Sequence, residues 1–298
     1  MTEIVADDDA RTGTRHGIRA VVVAYWSAST IEDCVRRLLA ATHVRKVVVV
    51  DNGSRDETAD IIERLAAVDP RLSLHRNPGN PGFAAACNRG AKNCTQPWLV
   101  FVNPDCMVEA NTFARLLAYT GSMPTTQSVS NLGVLGCEQI DANGAHNPAV
   151  RRRDVSLRAL LFARGRRDAM EIPSDGCALQ RVDAISGALM LLPRAVFEQV
   201  GGFDAGYRLH AEDLDLCCRV RAAGYSVAVA NAVIVTHLRG VSSRRRPLWV
   251  EWQKHRGLWR YFRKFEAIRT PAFLKPILWF GLWMHFVLAV PRSWLRKH

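Results

Sequence analysis

Residues 47–58 read VVVVDNGSRDET, and the fold is decided by how that stretch is understood. Four consecutive valines are apolar on both faces, as a strand in the middle of a covered parallel sheet must be. The run stops at Asp51. Asn52 and Gly53 are turn formers, and Ser54 and Asp56 are N-cap residues for a helical pattern over 57–68. A strand, a polar turn and a helix in that order make half of a β–α–β unit. Outward in both directions the pattern repeats: apolar runs at 19–24, 46–50 and 98–102, a shorter one at 72–75, and helical spacing over 30–39 and 83–92. Alternating strands and helices predict an α/β domain with a mainly parallel, Rossmann-like sheet flanked by helices.

Ligands of such sheets bind outside the carboxyl ends of the strands. The first strand is followed there by Tyr25, Trp26 and Ser27, the second by Asp51, Asn52 and Gly53, the third by Asn77, the fourth by Asn103, Pro104 and Asp105. Loops are polar anyway, so the two acids carry the information. Asp51 can accept a hydrogen bond from the imide N–H of a uracil or thymine ring, cap its own turn, or bind a ribose hydroxyl as in dinucleotide enzymes. The last reading needs glycines in the first strand-to-helix turn, where the chain has Ala24-Tyr25-Trp26-Ser27-Ala28-Ser29. A phosphate loop of the form G-x-x-x-x-G-K occurs nowhere. Asp105, next to last in WLVFVNPDC (98–106), can serve a hard divalent cation or simply cap a turn.

HAEDLDLCCRVRAAGY (210–225) places Glu212, Asp213 and Asp215 ahead of a helical stripe through Leu216, Val220 and Ala223. Acids in a first helical turn suit its unpaired N–H groups and dipole, and an acid on a rigid helix start also suits a general base. His237 follows the β-branched run 233–235 and precedes the Arg239, Gly240, Ser242, Ser243 loop, as a structural residue or a metal ligand. Residues 121–150, rich in Gly, Ser, Thr and Asn, are expected to form a mobile connection. They lead into Arg151, Arg152, Arg153, Arg158, Arg164, Arg166 and Arg167, a solvated face or a clamp for an anionic diphosphate.

At 298 residues and 48% hydrophobic, the chain can bury one large core. The first eighteen residues have no apolar run and are expected to be a flexible tail rather than a signal or anchor. Eight cysteines without a C-x-x-C pair suggest a reduced, cytoplasmic setting. Charge is uneven: from Arg239 onward there are fourteen Lys and Arg against Glu251 and Glu266, a surplus equal to the whole net charge of +12, together with six of the eight tryptophans. Within that tail the apolar stretch 276–290 is short for a membrane span of about 20 residues. It suits a helix lying on a membrane surface, with Trp279, Trp283 and Trp294 at headgroup level and the basic residues near anionic lipid, or a helical pair folded back over the body.

The order of these pieces resembles the family 2 glycosyltransferases of the GT-A fold, and among them the rhamnosyltransferase-like members. The resemblance covers about 19–239. It rests on VVAYW (22–26), VVVVDNGSRDET, NPGNPGFAAACNRGA (77–91), LVFVNPD (99–105), SGALMLLPRAVFEQVGGFD (186–204) and the 210–225 run. It implies an inverting transfer of a sugar from a nucleotide diphosphate, dTDP- or UDP-linked, to a lipid-linked or polysaccharide acceptor in cell-envelope glycan synthesis. Asp51 would read the pyrimidine, and Tyr25, Asn80, Gly82, Asn88 and Asn103 would line the donor site. Asp105 and His237 would hold Mg2+ or Mn2+; Asp213 would be the base, oriented by Glu212. Many members carry D-x-D where this chain has Asn103-Pro104-Asp105, a form similar to that of rhamnosyltransferase-like relatives, so dTDP-rhamnose is the first donor expected. The implied division is a tail (1–18), a catalytic domain (19–240) with a nucleotide-binding half (19–105) and an acceptor half (106–240), and a helical membrane-associating extension (241–298). The setting implied is the inner face of the cytoplasmic membrane, with no nucleic-acid partner. The rival readings are a dinucleotide-dependent oxidoreductase and a nucleic-acid-binding protein using the basic, aromatic tail.

Overall fold

A computed structural model of the chain describes residues 16–120, 131–162, 170–238 and 247–295, with backbone only at 162, 247 and 291–295. The expected tail up to residue 15, Arg164, Arg166, Arg167, the 239–243 loop and the Trp294 side chain lie outside what is described.

The elements up to residue 102 follow the sequence pattern: β1 (Ile18–Ala24), α1 (Ile31–Ala40), β2 (Val44–Asp51), α2 (Thr58–Ala66), β3 (Leu72–Arg76), α3 (Phe83–Ala91) and β4 (Trp98–Val102). They are followed by β5 (Cys106–Met107), α4 (Thr112–Leu117), β6 (Leu132–Ile140), β7 (Arg151–Arg152), α5 (Leu157–Phe162), β8 (Leu179–Arg181), β9 (Ala184–Ile185), β10 (Leu189–Pro193), α6 (Arg194–Gln199), α7 (Glu212–Ala222) and β11 (Ser226–His237). One nine-stranded sheet runs β3-β2-β1-β4-β10-β6-β11-β5, with β8 also on β11; β7 and β9 form a separate pair. β1 to β4 are mutually parallel, whereas β10 enters antiparallel between β4 and β6.

Strand β1 shows why the sheet is apolar throughout. Ile18, Ala20, Val22 and Ala24 join one core with α1 and α2, while Val21 and Val23 join a second core with α3 and α7. Side chains alternate along a strand, so a strand covered on both faces needs apolar residues at every position. Ala24 pairs with Asp51 and Val22 with Val102, which brings the ends of β1, β2 and β4 to one edge.

The stretch 121–150 differs from expectation: its second half contains β6, a buried strand at the centre of the sheet. Gly133 and Gly136 read as loop, but they serve close packing. A Cβ on Gly133 would lie 2.4 Å from Val220 Cγ1 and 2.6 Å from Tyr225 Cβ, and one on Gly136 would lie 2.9 Å from Ile185 Cδ1. β11 is also longer than the run 233–235 suggested, with a register shift between Ala230 and Ile234 that carries one strand along β6, β8 and β5.

The extension is helical: α8 (Pro247–Tyr261), a π-helical turn (Phe262–Glu266), a short 3-10 turn and α9 (Leu274–Leu295). It folds back on the body. Phe262, Leu278 and Leu282 share a small core with Leu157, and Tyr261 enters one of the two large cores. The other side of α9 leaves Ile277, Phe280, Met284, Val287 and Leu288 exposed, and Phe273 is exposed just before the helix. Among the described residues no helix is long and apolar enough to cross a membrane.

Gly133→Ala forces a methyl into that contact between β6 and α7. Overpacking of this kind costs about 1–3 kcal/mol. Chemical denaturation is expected to show a lower midpoint with an unchanged slope; a midpoint equal to the parent's would mean that α7 yields at no cost.

Candidate active site

The polar residues of the 47–58 motif stitch the first two loops together. Trp26 donates its backbone N–H to Ser54 Oγ (2.9 Å), Ser27 to Thr58 Oγ1 (2.8 Å) and Ala28 to Asp56 Oδ2 (3.3 Å). Asp51 is buried, and its carboxylate accepts the N–H groups of Gly53 (3.2 Å) and Ser54 (3.1 Å). The capping role is therefore real. A carboxylate has about four acceptor positions, so room remains for a ligand donor. Tyr25 stands partly exposed beside Trp26 at this edge.

A chain of amides continues to the 77–82 turn. Asn77 Nδ2 donates to Asn52 Oδ1 (2.7 Å), Asn52 Nδ2 donates to Asn80 Oδ1 and to the Gly82 carbonyl (both 3.3 Å), and Asn80 Oδ1 accepts the Gly82 N–H (2.9 Å). Gly82 then starts α3. Asn88 departs from expectation. It lies in the middle of α3, not at its start, and its amide is spent on Phe203, donating to the carbonyl (2.7 Å) and accepting the N–H (2.9 Å). It is a staple between α3 and the 201–206 turn.

Asp105 and His237, far apart in sequence, meet. β5 pairs with the end of β11, setting Cys106 opposite His237, and the Leu238 N–H donates to the Asp105 carbonyl (2.9 Å). This places His237 Nε2 3.2 Å from Asp105 Oδ1, with both side chains mostly buried. His237 Nδ1 is buried with no hydrogen-bond partner among the described residues. One carboxylate, one imidazole and an unspent ring nitrogen fit a divalent cation whose other ligands come from a diphosphate. Consistent with an incomplete protein shell, no group of three or more His, Cys, Asp or Glu among the described residues is placed to hold a metal alone.

At the start of α7, Asp213 Oδ2 accepts the Gly187 N–H (3.1 Å) and pairs closely with the Arg152 guanidinium, while Oδ1 accepts the Leu214 N–H (2.8 Å). The orienting groups are thus Arg152 and Gly187. Glu212, expected in that role, makes no hydrogen bond to Asp213, and its Oε2 has no partner among the described residues. Burial, reinforced by the Asp213 charge, pushes the Glu212 carboxyl well above the usual carboxylate range, against the opposing pull of Arg152 and a backbone N–H. Arg152 was visible in the sequence only as one of seven arginines. Its neighbour Arg151 is spent on the buried Glu138 (2.6 Å) and on Asn231 (2.9 Å). The turn between β9 and β10 also links the sites, because the Ala188 carbonyl accepts the Asn103 N–H (2.9 Å) one residue after Gly187 holds Asp213.

The sequence matches the family model for glycosyltransferase like family 2 over residues 16–259. The chain belongs to that family. The N-acetylglucosaminyl-diphospho-decaprenol L-rhamnosyltransferase of Mycobacterium tuberculosis is 29% identical over 245 residues, 73% of this chain and 75% of that protein. A hexosyltransferase of low-salt glycan biosynthesis in Haloferax volcanii is 24% identical over 76% of this chain and 68% of its own length. Among solved structures, a Pyrobaculum calidifontis mannosyltransferase in complex with GDP-Man and Mn2+ aligns with a TM-score of 0.58 and 21% identity over 93% of this chain and 71% of that one. The fold is therefore that of the GT-A glycosyltransferases, and the chain is a family 2 glycosyltransferase. The dinucleotide-oxidoreductase reading falls with this membership.

The buried Glu212 gives a test with a defined sign. The folded protein holds this proton more tightly than the unfolded chain, so Glu212 removes stability as pH rises from the unfolded carboxylate value of about 4.3 to the raised folded value. Glu212→Gln is expected to match the parent at the acid end and to exceed it increasingly toward neutral pH, by on the order of 1 kcal/mol. Denaturation at a series of pH values reads this. A gap that does not change with pH would return Glu212 to its ordinary range.

Proposed function

We propose that this glycosyltransferase inverts, moving a sugar from a nucleotide diphosphate to an acceptor of cell-envelope glycan synthesis, with dTDP-rhamnose as the first donor and a UDP-sugar as the alternative. What carries the reading is one juxtaposition: the Asp105–His237 pair lies at the carboxyl edge of the sheet, tied through Ala188 and Gly187 to the clamped carboxylate of Asp213. Asp213 removes the proton of the acceptor hydroxyl as that oxygen bonds to the anomeric carbon. The bond to the diphosphate breaks on the opposite face, and the nucleotide diphosphate leaves. Mg2+ or Mn2+, held by Asp105 and His237, would supply positive charge to the leaving diphosphate. Asp51 keeps acceptor capacity for a pyrimidine imide, beside Tyr25, Asn80, Gly82 and Asn103. Rhamnose and a lipid-linked acceptor draw support from the mycobacterial relative's name and from the N-P-D form of the metal loop.

Calorimetry with dTDP and with UDP in the presence of Mn2+ tests the assignments. Asp105→Ala is expected to abolish metal-dependent nucleotide binding and His237→Ala to weaken it less, since the carboxylate carries the charge. Asp213→Asn is expected to bind like the parent and to transfer roughly 10²-fold or more slowly. Metal and nucleotide binding unchanged in both of the first two variants, or full transfer by the third, sinks the corresponding role.

The extension is proposed to hold the enzyme peripherally on the inner face of the cytoplasmic membrane. Support comes from the exposed stripe Ile277, Phe280, Met284, Val287 and Leu288, at the three- and four-residue spacing of one helix face, with Phe273 exposed just ahead of it, in a strongly basic segment. The full chain is expected to float with vesicles containing anionic lipid. The combined substitutions Ile277→Ser, Phe280→Ser and Leu288→Ser should leave it in the soluble fraction. A parent that does not float at low salt ends the membrane reading.

A further inference from the structure

The two residues leading into α7 sit in an unusual backbone. His210 has φ 67° and Ala211 φ 70°, both left-handed and neither glycine. Such conformations cost on the order of 1–3 kcal/mol each and persist only where the surroundings impose them. From the side of the nucleotide half the surroundings are α3: the Phe83 N–H donates to the Arg208 carbonyl (2.9 Å), and a Cβ on Gly82 would stand 2.6 Å from Arg208 Cα.

The opposite side is supplied by the C-terminal extension. A Cβ on Gly257, inside α8, would lie 2.8 Å from the His210 carbonyl oxygen, so the helix touches the loop at the one residue type that permits it. A glycine within a helix costs about 1 kcal/mol relative to alanine, a loss that this contact explains. One turn on, Arg260 pairs with Asp204 (2.9 Å) and lies over the Tyr207 ring. Lys264, in the π-helical turn, then bridges Asp204 (3.0 Å) and Asp215 (2.6 Å). The Asp215 side chain is fully buried, with its other oxygen on Arg219 Nε (2.5 Å), and it sits two residues beyond Asp213 on the same helix. Glu266, in the same π turn, accepts the Leu157 N–H at 3.1 Å. Insertions of this kind in helices frequently mark functional sites.

We infer that the extension is a working part of the active site, with Lys264 and Gly257 as positioning residues that fix the 207–211 loop and, through Asp215, the first turn of α7 that presents Asp213. This rests on the reading of Asp213 as the base. A catalytic group displaced by about 1 Å loses of the order of 10²-fold in rate while its distant binding contacts survive.

The test uses the full chain. Steady-state hydrolysis of the nucleotide sugar that the parent turns over fastest gives kcat and donor KM, calorimetry with dTDP and UDP plus Mn2+ gives nucleotide affinity, and thermal melts monitor folding. Lys264→Met and Gly257→Ala are each expected to lower kcat roughly 10- to 100-fold with donor KM and nucleotide affinity within about twofold of the parent. Lys264→Arg, which keeps the bridge, is expected to restore most of the rate. Parental kcat in both Lys264→Met and Gly257→Ala overturns the inference, as does an equal loss in kcat and nucleotide affinity. Should Lys264→Met fail to fold, Gly257→Ala and Lys264→Arg still decide. Asp213→Asn, run in parallel, separates the two readings. Retained hydrolysis there removes the base assignment; lost hydrolysis beside a fully active Lys264→Met removes the positioning role alone.

Discussion

A sheet covered on both faces leaves little room for charge except at the ends of its strands, and every acid gathered there must be compensated inside the protein. The site is a solution to that constraint. Asp51 is held by two backbone N–H groups of its own turn, Asp105 by His237, Asp213 by Arg152 and two backbone N–H groups, and Asp215 by Arg219 and Lys264. Glu212 has no ion pair of this kind, and burial raises its carboxyl well above the usual range. Two neighbouring carboxyls, one clamped by an arginine and one raised by burial, are thereby given different surroundings on one helix.

The fold of the nucleotide half was legible because it is local. Strand burial, turn chemistry and helical periodicity all lie within windows of a dozen residues, and the motif 47–58 contains its own explanation in the Ser54, Asp56 and Thr58 contacts. Residues 106–240 were harder to read. β6 was hidden by its glycines, whose purpose is the approach of Val220, Tyr225 and Ile185, residues that no local window contains. β10 was hidden because its neighbours in the sheet, β4 and β6, are not its neighbours in sequence.

The same distinction divides the site. Residue type and position at a strand end pointed to Asp51 and Asp105, and the pairing of β5 with β11 brought His237 to the latter. Asn88 is expected at the donor because it belongs to the 77–91 motif, whereas here both ends of its amide reach the Phe203 backbone. Arg152 was indistinguishable from its neighbours in a basic stretch; only its contact with Asp213 separates it from Arg151, which neutralises Glu138.

The extension shows why composition alone could not choose between a membrane-bound and a folded-back tail. Helix α9 is apolar on opposing sides: Leu278 and Leu282 face the body, while Ile277, Phe280, Met284, Val287 and Leu288 face outward. A helix that is hydrophobic all round has no single preferred environment until its partners are known. The basic surplus is likewise not all outward. Arg260 and Lys264 are engaged with Asp204 and Asp215, and Lys254 stands near Glu251. Charges committed to buried or neighbouring carboxylates are poorly available to lipid headgroups. Counting every basic residue therefore overstates the electrostatic attraction, and the exposed stripe adds a contribution of a different kind, one that depends on apolar area and is insensitive to salt.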